Sequence, residues 1–195
     1  MIHKYLYWFY EKAIPERICD EIVLFFNNKN KSKALIGEDK VNLKIRKSSV
    51  VFDNENLWID HLINPFIRDA NVRANWNFDI DYPETHQFTE YSKNQHYDWH
   101  ADAFENPYNN PNNYQHNKIR KLSMSLCLTD DKNYKGGNLF FSKIKKDKIE
   151  KFTIKNMSKK GSLVVFPSYT WHKVTPITKG TRHSLVIWYL GNQYR

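Results

Sequence analysis

Cysteine is almost absent. Cys19 and Cys127 are the only two in 195 residues; both sit in apolar contexts, without the even, close spacing of a disulfide or zinc framework, and read as reduced core residues. Long apolar runs are missing too: Ile22 to Phe26 and Leu185 to Leu190 fall far short of the roughly 18 residues a membrane span requires, so no membrane role is expected. The N-terminus, Met1-Ile2-His3-Lys4 followed by an aromatic cluster and Glu11-Lys12, lacks the basic, apolar and small-residue zones of a secretory signal. A soluble, cytoplasmic chain is the expectation. Repeats and clear linkers are lacking as well, and the length suits one domain spanning 1–195.

What is present is a globular composition: 41% hydrophobic, 26% charged and 15% aromatic residues, which excludes disorder for the bulk of the chain. Thirty Lys and Arg against 21 Asp and Glu leave a net charge of +9, a balance that suits an anionic partner. Much of it crowds into Lys143, Lys145, Lys146, Lys148, Lys151, Lys155, Lys159 and Lys160, which reads as a solvated hairpin rather than a binding patch.

From Pro15 onward, Ile18, Ile22, Phe25 and Phe26 recur at helical spacing and predict an amphipathic helix with proline in its first turn. A second helix is expected after Asp53-Asn54, with Trp58, Leu62, Pro65 and Phe66 on one face and Pro65 ending or kinking it. After about Trp76 the period falls to two. Phe78 and Ile80 alternate with Asp79 and Asp81, and further strands are predicted at Gln87–Tyr91, Lys118–Thr129, Asn138–Ser142, Phe152–Lys155, Ser162–Phe166 and Arg182–Leu190. Turns with Asp130-Asp131, Gly136-Gly137 and Lys160-Gly161 separate them, and the Asn-rich stretch 106–117 reads as a long surface loop. The fold class is therefore mainly β (α+β): residues 75–195 form an antiparallel sandwich or jelly roll, and 1–74 are mainly helical support.

Chemistry concentrates in Tyr97-Asp98-Trp99-His100-Ala101-Asp102. His100 and Asp102 stand two residues apart, on one face of an extended chain, and with the distant His172 they make the two-histidine, one-carboxylate set that leaves iron coordination positions open. His96 and Asp98 form a second His-x-Asp pair on the same alternation, and spacing alone does not choose between them. Arg182, ten residues past His172 at the start of the last apolar strand, suits the far carboxylate of a dicarboxylic cosubstrate, which guanidinium grips with two parallel bonds.

Tyr91, Tyr97, His100 and Asp102 match the Tyr-x5-Tyr-x2-His-x-Asp pattern of the prolyl 4-hydroxylase-like branch of the 2-oxoglutarate and Fe(II)-dependent dioxygenases. Tyr134-Lys135-Gly136-Gly137-Asn138-Leu139 resembles its Gly-Gly hairpin, and Phe166-Pro167 through His172 to Pro176, then Gly180-Thr181-Arg182 and Trp188, is similar to its distal segment in bacterial and phage hydroxylases. The likeness spans about Asn75 to Leu190. Asn94, where many relatives carry glycine, and Asn138, where they carry an acidic residue, depart from it without touching a ligand position.

The resemblance implies a double-stranded β-helix. It implies Fe(II) at His100, Asp102 and His172, and selects that pair over His96 and Asp98. It places 2-oxoglutarate on Arg182 and the Tyr91 hydroxyl, with Ser184 able to add a hydrogen bond, and admits ascorbate as an auxiliary. It further implies hydroxylation of an unactivated C–H bond, on a peptidyl proline or similar peptide side chain, with release of succinate and carbon dioxide, in a host cytoplasm were the chain phage-encoded. Tyr97, Trp99 and Trp188 are candidate substrate walls, although aromatics also fill cores. Two readings compete. A nucleic-acid base oxygenase is motivated by the charge but disfavoured, since only Arg182 follows His172 before Arg195, and the other is a non-catalytic jelly-roll binding module.

Overall fold

A computed structural model describes residues 5–34, 42–53, 57–145 and 147–194. The Met1–Lys4 stretch, Asn54 ahead of the second helix, Lys146 in the lysine run and Arg195 lie outside them. In chain order the elements are β1 (Trp8–Tyr10), α1 (Glu16–Asn27), β2 (Ser32–Lys33), β3 (Arg46–Lys47), β4 (Ser49–Asp53), α2 (Leu57–Arg73), β5 (His86–Tyr91) and β6 (His96–His100). There follow β7 (Lys118–Cys127), β8 (Tyr134–Gly136), β9 (Leu139–Lys145), β10 (Lys148–Thr153), β11 (Leu163–Pro167), β12 (His172–Val174), β13 (Ile177–Gly180) and β14 (Arg182–Asn192).

Two sheets face each other in a jelly roll. The larger runs β1-β11-β7-β14-β5-β4-β2, the smaller β10-β9-β12-β6-β3, and β13 pairs with β8 in a short ribbon. Both helices cover the outer face of the larger sheet, where Ile22, Phe26, Ile59, Ile63 and Ile67 pack with Phe88, Met124, Leu126 and Ile187. Between the sheets lies a second apolar cluster that includes Tyr91, Cys127, Phe141, Phe166 and Ile177. Alternation along β7 serves both sides: Leu122, Met124 and Leu126 face the helices, while Cys127 packs into the cluster between the sheets. Both cysteines are free and fully buried, and burial pushes the Cys19 thiol up to about 12.

Several expectations are corrected. Pro15 caps α1 from outside instead of lying in its first turn. Helix α2 continues through Pro65, and its buried face is Ile59, Ile63, Ile67 and Ala70, one position on from the face read off the sequence; Trp58 is 42% exposed. Leu62 and Phe66 of the expected face are partly buried at the edge of the same core. Residues 76–85 form no strand and are tied to β14 by single bonds such as Asp81 N–H to the Leu190 carbonyl at 2.8 Å. The N-terminal region adds more than helices: β1, β2 and β4 widen the larger sheet and β3 edges the smaller one.

Candidate metal centre

The pairing of β6 with β12 carries an irregularity that shapes the site. His100 lies opposite His172, yet Tyr97 rather than Asp98 lies opposite Val174, so β6 has one extra residue. A bulge of this kind re-aims side chains. Tyr97 and His100 consequently share the inner face, their rings stacked with centroids 3.5 Å apart and planes at 12°. Trp99 turns the other way, its ring 5.1 Å from the Lys173 Nζ and 5.7 Å from that of Lys151. It lines neither cavity at the centre, which corrects its reading as a substrate wall.

Asp102 follows just beyond β6, its N–H donating to the Ser168 carbonyl (2.9 Å) and its own carbonyl accepting from Arg120 Nη1 (3.3 Å). His172 opens β12 and is bracketed by β6 and β9. The three side chains converge: His100 Nε2 is 3.7 Å from Asp102 Oδ1, His172 Nε2 is 3.7 Å from Asp102 Oδ2, and the ligand atoms lie within 4.8 Å of one another. His96 and Asp98 do not join them. His96 Nε2 bonds to the Lys44 carbonyl (3.0 Å), and Asp98 is exposed.

A metal fits these residues. The Nδ1 atoms of His100 and His172 donate to the Asp98 and Thr170 carbonyls, at 2.8 and 2.9 Å, which leaves each Nε2 as a bare lone pair aimed inward. Asp102 Oδ2 is buried without a hydrogen-bond partner, a costly state for a carboxylate that a cation relieves. Burial and the neighbouring His172 push the His100 imidazole down to about 3, so it stays neutral as a ligand must. Burial raises the Asp102 carboxyl, but His172, His100 and Arg120 outweigh it and hold the group below the usual carboxylate range.

Deeper between the sheets, Arg182 begins β14 directly opposite Tyr91 of β5 and is only 3% exposed. Its Nη1 donates to the Ser184 hydroxyl (3.2 Å), and its guanidinium carbon is 5.7 Å from the centre of the Tyr91 ring. One narrow pocket joins Tyr91, Arg182 and Ser184 to His100, Asp102 and His172. Outward from the triad opens a cleft of about 680 Å³ whose walls include Tyr97, Phe104, Arg120 and Trp188.

Arg120 escaped the sequence reading. Its Nε and Nη2 hold the Glu84 carboxylate at 2.7 and 2.8 Å, and its guanidinium lies 3.8 Å from the Trp188 ring and 4.7 Å from Phe104. In sequence it is one more cation at the polar end of an alternating strand. Arg46, whose guanidinium carbon sits 4.5 Å over the Tyr97 ring, was equally silent, because its short strand carries no periodic signal.

The sequence profile of the 2OG-Fe(II) oxygenase superfamily matches residues 86–190, more than half of the chain. The chain belongs to this superfamily. Such oxygenases use Fe(II) and 2-oxoglutarate, and this chain is an oxidoreductase of that kind. Among curated proteins, a PKHD-type hydroxylase of Prochlorococcus marinus is 29% identical over 191 residues, 96% of this chain and 76% of the relative. One from Alteromonas mediterranea is 33% identical over 109 residues, and there the match spans 41% of the relative's length. The oxygenase fold recurs in a Pseudomonas putida prolyl-4-hydroxylase at TM-score 0.70 and 15% identity, over 95% of this chain and 93% of that one. It recurs as well in a Trichoplax adhaerens prolyl hydroxylase solved with a hypoxia inducible factor peptide fragment, at TM-score 0.71 and 15% identity, over 95% and 84% of the two chains.

Proposed function

We propose that this oxygenase holds Fe(II) through His100, Asp102 and His172, holds 2-oxoglutarate through Arg182 with Tyr91 and Ser184, and hydroxylates a peptidyl proline or similar peptide side chain. Residues 1–195 act as one catalytic domain. The observation that carries the reading is the convergence of three ligand atoms within 4.8 Å in the same pocket as a buried arginine. Support for the substrate class comes from the prolyl hydroxylases that share the fold and from the aromatic cleft outside the triad.

When bound, iron and 2-oxoglutarate supply the oxidising power: dioxygen and the oxo acid give carbon dioxide and succinate, and one oxygen atom enters the substrate C–H bond. The protein positions and shields. The Asp98 and Thr170 carbonyls hold both imidazoles in the ligating tautomer. Arg182 answers the distal carboxylate of the cosubstrate from a buried position, where a charge-assisted bond is strong. Tyr97 and Trp188 line the cleft beside the triad, where their bulk narrows the approach of a substrate side chain and excludes water.

Two measurements test this. Purified protein is expected to bind one Fe(II) per chain and to form succinate slowly without substrate, and Asp102→Ala to lose both. Proline-containing peptides are expected to raise succinate formation and to gain the mass of one oxygen. Unchanged metal content and turnover in Asp102→Ala would refute the triad.

A further inference from the structure

The N-terminal strands help to line the 680 Å³ cleft: Lys33 of β2, Arg46 of β3 and Phe52 of β4 join Tyr97 and Trp188 in its walls. All three precede residue 86, where the superfamily profile begins, so the shared chemistry does not account for them. Their charge is one-sided. Among the described lining residues the only carboxylate is Asp102, a ligand in the proposed triad. The third lining cation, Arg120, is answered by Glu84 behind the wall.

Lys33 differs from its neighbours in the same stretch. Lys29 is paired with Asp53 and Lys31 with Glu90, whereas Lys33 is exposed on the cleft and forms no ion pair with any described residue. Arg46 is 7% exposed and lies flat on Tyr97, which itself stacks on His100, so its positive charge stands one ring away from the ligand. Cations lining a concave, partly apolar wall focus field into it and raise the local concentration of anions.

We propose that this cleft selects substrates carrying a carboxylate beside the residue to be hydroxylated, an acidic peptide segment, with Lys33 and Arg46 as the specificity determinants. The proposal rests on the peptide reading above and deepens it. Aromatic residues of the cleft receive the target side chain, and Lys33, exposed on the cleft, receives the flanking acid, with the buried Arg46 adding positive field from behind Tyr97.

The test uses fluorescein-labelled decapeptides with a central proline flanked on both sides by Glu, Gln or Lys. Binding is read by anisotropy on protein loaded with Mn(II) and 2-oxoglutarate, and hydroxylation by mass on the Fe(II) enzyme. The Glu peptide is expected to bind about five- to tenfold tighter than the Lys peptide at low salt, and the margin to shrink as salt screens it. Lys33→Glu is expected to erase or invert the order, Lys33→Arg to keep it, and Lys148→Gln, on β10 and outside the cleft lining, to leave it unchanged. Equal binding of the three peptides, or a preference that survives both Lys33→Glu and Arg46→Gln, would overturn the inference. A charge preference with no hydroxylation of any peptide upholds the cleft's selection of acidic chains but sinks the peptide-hydroxylase reading, and with it the placing of the carboxylate beside a hydroxylated residue; hydroxylation without charge preference overturns the inference and leaves that reading standing.

Discussion

A ring nitrogen serves a metal only while it carries no proton, and at His100 and His172 the ring proton stays on Nδ1, donated to the backbone carbonyl two residues upstream in each case, which leaves Nε2 bare. His96 has its Nε2 occupied by the Lys44 carbonyl. His100→Ala is therefore expected to abolish metal binding and succinate formation, and His96→Ala to spare metal binding; inductively coupled plasma analysis of both variants decides it, and the opposite pattern would move the site. Arg182 offers a second residue-scale test. Replacing it with leucine removes a charged, buried hydrogen-bond partner, a loss of about 1.5 to 3 kcal/mol, or roughly tenfold to over a hundredfold in the 2-oxoglutarate requirement, with metal affinity little changed. Gly137 guards the same group: at φ 62°, a Cβ there would collide with the Ile177 Cδ1 and come within 2.9 Å of the Arg182 Cδ. Gly137→Ala is expected to raise the 2-oxoglutarate requirement in the same direction. A cosubstrate titration that does not move in the leucine variant would refute the role of Arg182.

At the scale of elements, the period-two runs read at 87–91, 118–129, 138–142, 162–166 and 182–190 became β5, β7, β9, β11 and β14, because alternation is the direct imprint of a two-faced sheet, whereas the run at 78–81 formed no strand and the strand expected at 152–155 shares only its first two residues with β10. Short strands were illegible. β2 and β3 have two residues each, too few to show a period, yet they supply two of the cations at the cleft. In α2 a helical period was visible, but which arc faces inward depended on what it packs against. Ile63 is fully buried and Trp58 is 42% exposed, so Ile63→Ala is expected to cost about 2 to 5 kcal/mol of stability. Trp58→Ala is expected to cost clearly less. Urea unfolding of the two variants measures the difference, and equal losses would restore the face that carries Trp58.

For the molecule as a whole, the +9 charge is less free than it looks. Lys143 and Lys145 lie 3.4 and 3.6 Å from the Glu150 carboxylate, Lys159 lies 2.6 Å from Glu11, and Lys160 is paired with Asp20. Converting Lys145 and Lys148 to glutamine is expected to leave succinate formation and peptide turnover nearly unchanged. Any nucleic-acid binding is expected to fall steeply between about 50 and 200 mM salt, as phosphate-driven contacts do; salt-resistant binding with oxidation of a base would displace the peptide reading. The sequence by itself determined the mainly β character and singled out the His-x-Asp pairs, the distal His172 and Arg182, since each is written in local spacing or in a resemblance carried by contiguous residues. Tertiary structure alone decided that β6 bulges against β12, which turned Tyr97 inward and Trp99 outward. It alone brought Arg120 under Trp188 and set Lys33 and Arg46 at the cleft. Those choices depend on pairing partners tens of residues away, and no window of sequence holds both sides of such a contact.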